Sequence, residues 1–148
     1  MELIYCGMAS KASCRRVKRV LGLLVATDHF GFFNKLADLE KHLREQLSAR
    51  YVIVLHVGGK KHLLALSKIS ELLMDHKVIL ILPEAEPEMV AMGHALRPRF
   101  ITYNDGDFLE MAAVLRQLLF PHEVKNKRTV LRSSDERNDL KSYENTHR

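Results

Sequence analysis

Two short runs of unbroken apolar residues dominate the pattern along the chain: Tyr51-Val52-Ile53-Val54-Leu55 and Val78-Ile79-Leu80-Ile81-Leu82. Each is rich in β-branched residues and stands near a turn signal, Gly58-Gly59 for the first and Pro83 for the second. Continuous apolarity, as opposed to alternation, marks strands covered on both faces, as in a parallel sheet between two helix layers. Between the runs, residues 61–76 place Leu63, Leu66, Ile69, Leu72 and Leu73 at helical spacing, which predicts a βαβ unit.

The pattern repeats on both sides. Leu3-Ile4-Tyr5-Cys6 predicts a first strand, followed by a helix with Cys14, Val17, Val20, Leu21 and Leu24 on one face. Phe30 to Phe33 predicts a weaker second strand, with Val25-Ala26 as a separate lead-in, and Leu36, Leu39, Leu43 and Leu47 mark the next helix. Glu40 and Arg44, and Lys41 and Glu45, stand four apart on its outer face, a spacing that pairs charges on a helix. Residues 86–96 form a short fourth helix ended by Pro98, and Phe100-Ile101-Thr102-Tyr103 a fifth strand. Asp107 is placed to cap a last helix with Phe108, Met111, Ala112, Leu115 and Leu119 inward. Five strand–helix alternations predict a three-layer, doubly wound (βα)5 α/β sandwich with a parallel five-stranded sheet in the order 2-1-3-4-5.

Composition changes this picture little. The chain has 148 residues, one domain on a prior of about 150 residues each, and we place that domain at residues 1–120. From residue 121 to 148 the sequence is charged, poor in apolar residues and without period. That predicts a solvated tail, with a partner-induced short helix around 136–143 as the less favoured alternative. Two cysteines, Cys6 and Cys14, exclude a disulfide framework, and their spacing is not that of a redox pair. No apolar run reaches the ~18–20 residues of a membrane helix, and the start of the chain lacks signal-peptide character. A reduced, cytoplasmic protein is expected.

Charge is more informative by its location. The formal net charge is +5. Lys11, Arg15, Arg16, Lys18 and Arg19 lie in one acid-free stretch, and the remaining basic residues are matched one for one by the acids. The excess is therefore a solvent-facing strip on the first helix, able to meet phosphates or an acidic partner. Without stacking aromatics beside it in sequence or a helix-turn-helix pattern, nucleic acid is disfavoured. Glu84, Glu86 and Glu88, at the fourth strand–helix junction, are expected on a different part of the surface.

In such a sheet, ligands bind at the carboxyl ends of the strands. The apolar third strand, the proline after the fourth, and the short fourth helix leading to a fifth strand and amphipathic last helix resemble the receiver domain of two-component response regulators. The resemblance covers about residues 2–119 and is one of topology. It implies an acidic pair at the first strand's end, a phosphate-accepting aspartate ending the third, Ser/Thr ending the fourth and a lysine ending the fifth. These positions fall on Cys6-Gly7 or Gly7-Met8, on His56, on Leu82 or Pro83, and on Tyr103 or Asn104. None matches, and magnesium needs carboxylate oxygens. The implied protein is a degenerate pseudo-receiver from a bacterial-type signalling system, unable to carry aspartyl phosphate.

Two function classes follow. The first is a non-enzymatic regulatory module that needs no cofactor or metal and acts through a protein partner or by self-association. The resemblance implies the fourth helix–fifth strand–fifth helix face for this, with Met89, Met92, His94, Arg97, Arg99, Tyr103 and Arg116 as surface candidates. The second is a small-ligand or nucleotide-binding domain using Lys11, His56, Lys60 and Lys61 at the strand ends. The turn Gly58-Gly59-Lys60-Lys61 could offer backbone N–H groups to an anion, although it lacks the spacing of a P-loop. For His56 the weightier reading is a neutral imidazole bonded to backbone at the sheet edge, the sharper one a ligand-contacting or phosphorylatable side chain. Polyanion binding through the first helix is a third, weaker option.

Overall fold

A computed structural model describes residues 2–26 and 29–122. The predicted tail lies outside the described residues from 123 onward. The elements are β1 (Glu2–Gly7), α1 (Lys11–Gly22), β2 (Phe30–Phe33), α2 (Leu36–Glu45), β3 (Tyr51–His56), α3 (Lys60–Ser67), α4 (Ser70–Leu73), β4 (Lys77–Leu82), α5 (Pro87–Ala95), β5 (Phe100–Tyr103) and α6 (Leu109–Leu119). All strand pairings are parallel, in the order β2-β1-β3-β4-β5. This is the flavodoxin-like, doubly wound arrangement that the apolar pattern predicts.

The period-2 geometry of the strands divides the core in two. Ile4, Cys6, Ile53, Leu55, Leu80 and Leu82 pack with α2, α3, α4 and α5 on one face. Leu3, Tyr5, Val52, Val54, Ile79 and Ile81 pack with α1 and α6 on the other. All six residues of β3 are buried, because the strand is central and covered on both sides. Close packing of α5 on the sheet depends on Gly93, where a Cβ would stand 2.7 Å from Leu80 Cδ2.

Helix starts follow local chemistry. Ser10 Oγ accepts from Ser13 N at the head of α1, and the Glu86 carboxylate accepts from Glu88 N and Met89 N ahead of Pro87. Both satisfy amides that a first turn leaves without partners.

Four expectations need correction. The single helix over 61–76 is two helices. Leu63, Leu66, Ile69 and Leu73 are all buried, and two successive three-residue steps drift off a 3.6-residue stripe. The backbone tightens to keep them inward, through Lys68 N to Ala65 O and Ile69 N to Leu66 O, while Ser67 Oγ donates to Leu64 O. Val25-Ala26 is not a strand; Val25 N instead donates to Leu21 O as α1 unwinds. Asp107 stands one residue before the cap position of α6: its Oδ1 accepts from Leu109 N, with Phe108 between them at φ 64°. α5 ends before Pro98 can break it, closed by Arg97 at φ 55°.

Candidate functional site at the carboxyl ends of the strands

Parallel pairing brings Gly7 level with His56, and His56 level with Ile81. His56 is fully buried, and both ring nitrogens are engaged. Asn104 Oδ1 lies 3.0 Å from Nε2 and can only accept, so Nε2 carries the proton. Nδ1 therefore accepts from the Tyr5 hydroxyl, 2.7 Å away. Asn104 Nδ2 in turn donates to Ser13 Oγ at 2.9 Å, and Ser10 Oγ donates to Ser13 Oγ at 3.1 Å. A single hydrogen-bond chain thus runs from β1 through β3 and the end of β5 to the first turn of α1.

Its electrostatics are those of a neutral network. Burial pushes the His56 imidazole below the ordinary histidine range, against the hydrogen bond that Nε2 donates to Asn104 and with help from the nearby Arg16 charge. Burial likewise raises the Tyr5 phenol, with smaller contributions from the Cys14 and Cys6 thiols. The Cys6 thiol is pushed up to about 12, chiefly by burial. Both cysteines are free and buried. Among the described residues no buried side-chain polar atom lacks a partner, and no cluster of three or more His, Cys, Asp or Glu could hold a metal ion.

His56 is therefore not at a sheet edge, and its partners are side chains, not backbone. Of the four residues expected around one ligand, Lys11 lines a pocket beside α1 that His56, Lys60 and Lys61 do not line. Lys11 opens α1 on the α1–α6 side of the sheet. Lys60 opens α3, on the other side, and its ammonium pairs with the Glu88 carboxylate, so an acid expected elsewhere on the surface neutralises it. Lys61 is exposed beside it. The Gly58-Gly59 turn does not offer its first amide to an anion, because Gly58 N donates to His62 Nδ1 at 2.9 Å.

Of the surface candidates, Met89 is buried in the core, since it follows the Glu86 cap on the inward side of α5. Met92 and Tyr103 are half-buried against the same core. His94, Arg97, Arg99 and Arg116 are exposed.

The basic strip is also divided. Arg16 is committed: Nη1 donates to Asn104 O and Nη2 to Gly106 O, both at 2.8 Å, with the guanidinium 5.2 Å from the Phe108 ring centre. Lys11, Arg15 and Lys18 instead line a pocket of about 600 Å³ between α1 and the ends of β1 and β2, together with Phe32 and Asn34. Phe32 and Asn34 were not legible as site residues, because only the β1–β2 pairing brings them to α1. The spacing of Lys11, Arg15 and Lys18 was: positions four and three apart share one helix face.

What the fold and the strand ends define is a flavodoxin-like α/β domain with a neutral hydrogen-bonded centre and a cationic pocket to one side. In comparisons with protein-family models, with curated proteins and with solved structures, nothing matches this chain. Among the described residues no helix is long and apolar enough to cross a membrane.

Proposed function

We propose that the protein is a non-catalytic, receiver-like regulatory module of the cytoplasm that acts through contacts with a protein partner or a second copy of itself. One observation carries the reading. The residue at the position corresponding to a receiver's phosphate acceptor is a buried imidazole with both nitrogens already bonded, so it has neither the access nor the free lone pair for phosphoryl transfer. The positions where a receiver's acidic pair would hold magnesium, Cys6-Gly7 or Gly7-Met8, carry no carboxylate. The outward residues of α5, β5 and α6, with His94, Arg97, Arg99 and Arg116 exposed, form the contact face in this reading.

Incubation of the full chain with magnesium and a small acyl phosphate, followed by intact mass, tests it. An unchanged mass is expected. A stoichiometric gain of one phosphoryl group, mapped to any residue at the strand ends, would overturn the assignment.

A further inference from the structure

We propose that the pocket between α1 and the ends of β1 and β2 binds a small anion bearing a planar ring, of which nucleoside phosphates are the nearest chemical class. The site touches the buried network only through Tyr5, lies apart from the contact face, and stands whether or not the chain is receiver-like.

Three independent features meet there. The first is charge. Lys11, Arg15 and Lys18 all line the cavity, no lining residue is acidic, and the first turn of α1 carries no acid. Neither Lys11, Arg15 nor Lys18 is within ion-pairing distance of a carboxylate among the described residues. Three like charges on successive turns of one helix repel one another, a cost that a bound polyanion relieves. The second is an aromatic surface. Phe32 is 47% exposed although it belongs to a strand. Its ring is held in place by stacking on Phe30, centres 4.5 Å apart, and by an edge contact with Tyr5 at 6.4 Å. The Lys18 ammonium stands 5.2 Å from the Phe32 ring centre, where a cation is weakly held. A planar ring entering over Phe32 takes that place, and the flexible lysine swings toward the phosphate.

The third feature is shape. At about 600 Å³ the cavity falls in the range of about 300–1,000 Å³ typical of small-molecule sites. Gly7 lets its wall pack closely, since a Cβ there would stand 2.8 Å from both Cys14 Sγ and the Tyr5 ring. Asn34 adds an amide with both a donor and an acceptor for sugar hydroxyls or ring edges.

Calorimetric titration of the full chain at low salt, with ATP and GTP as probes beside adenosine, inorganic pyrophosphate and a short single-stranded oligonucleotide, tests the site. A nucleotide is expected to bind, with adenosine and pyrophosphate each at least tenfold weaker. Arg15→Gln and Lys18→Gln should each weaken nucleotide binding severalfold, up to about fivefold for an exposed charge pair. Phe32→Ala should weaken it by at least about fivefold, the low end for loss of a stacking partner, and leave pyrophosphate unaffected. Arg15 and Lys18 are exposed, so unchanged melting temperatures are expected for their variants. Phe32→Ala also loses ring contacts with Phe30 and Tyr5, and a native circular dichroism spectrum at the titration temperature excludes misfolding there. The proposal is overturned by absence of nucleotide binding at millimolar concentration, by binding that the three variants leave unchanged, or by pyrophosphate binding as well as nucleotide. Tight oligonucleotide binding with silent mononucleotides would overturn it in favour of a nucleic-acid surface.

Discussion

Cutting the hydrogen bond between Tyr5 and His56 is the sharpest test of the buried network. Tyr5→Phe removes only the hydroxyl, leaving the rings of Tyr5 and Phe32 in contact, but it strands the His56 Nδ1 lone pair in a fully buried position. An orphaned buried acceptor costs about 1–3 kcal/mol, so we expect about 2 kcal/mol. His56→Leu strands the Tyr5 hydroxyl at similar cost. The Cys14 thiol beside that hydroxyl is too weak an acceptor to replace imidazole, and half-buried Asn104 can turn to water. In the double variant both partners are apolar, and such paired replacements can be nearly neutral. The double variant should therefore be no more destabilised than either single, which puts it below the sum of the singles by at least about 2 kcal/mol. The chain has no tryptophan, so urea unfolding followed by far-ultraviolet circular dichroism is the assay. With a slope of about 2 kcal/mol/M, each single variant lowers the midpoint by about 1 M. Additivity of the two substitutions to within about 0.5 kcal/mol, the scatter for independent sites, would show that the two groups do not share a bond and would refute the network.

Two further predictions follow from burial. His56 and His76 are both held below the ordinary histidine range, His56 chiefly by burial and His76 by burial and then the Arg50 charge. The unfolded chain therefore takes up protons first, below its reference value of about 6.5, and stability should be full above that pH and fall as pH drops toward the depressed native values. Urea midpoints at pH 7.5 and 5.5 check the sign, the slope being shallower in His56→Leu; a midpoint that is flat or rises on acidification contradicts it. Gly93→Ala should destabilise by about 1 kcal/mol net, because overpacking costs about 1–3 kcal/mol against a helix-propensity gain of about 1 kcal/mol, its Cβ meeting buried Leu80 at 2.7 Å. Gly22→Ala, with nothing within 4 Å of the added carbon, should be neutral or stabilising, and thermal melts compare the two directly.

The sheet was legible because burial on both faces leaves a one-dimensional trace: β3 and β4 read as unbroken apolar runs, and α1 and α6 carry their inward residues at helical spacing. The split of α3 from α4 left no such trace, since Leu63, Leu66, Ile69 and Leu73 fit one helix nearly as well as two, and Ser67 tips the balance through one hydrogen bond to a carbonyl. Site chemistry was harder still, because its parts are distant along the chain. His56 is 51 residues from Tyr5 and 48 from Asn104, and Asn104 is 91 from Ser13. The glycine-lysine turn drew attention to Lys60 and Lys61, yet the salt bridge to Glu88 and the Gly58–His62 bond consume that turn's charge and amide. Parallel pairing of β1 with both β2 and β3 decides where the usable chemistry lies. It sets Tyr5 against Phe32 on one side and near His56 on the other, so Tyr5 both lines the cationic pocket and opens the hydrogen-bond chain to β5. The pocket and the end of β5 are thereby joined through the buried core, from Tyr5 to His56 to Asn104, and the Tyr5→Phe variant cuts that path without removing the ring from the pocket wall.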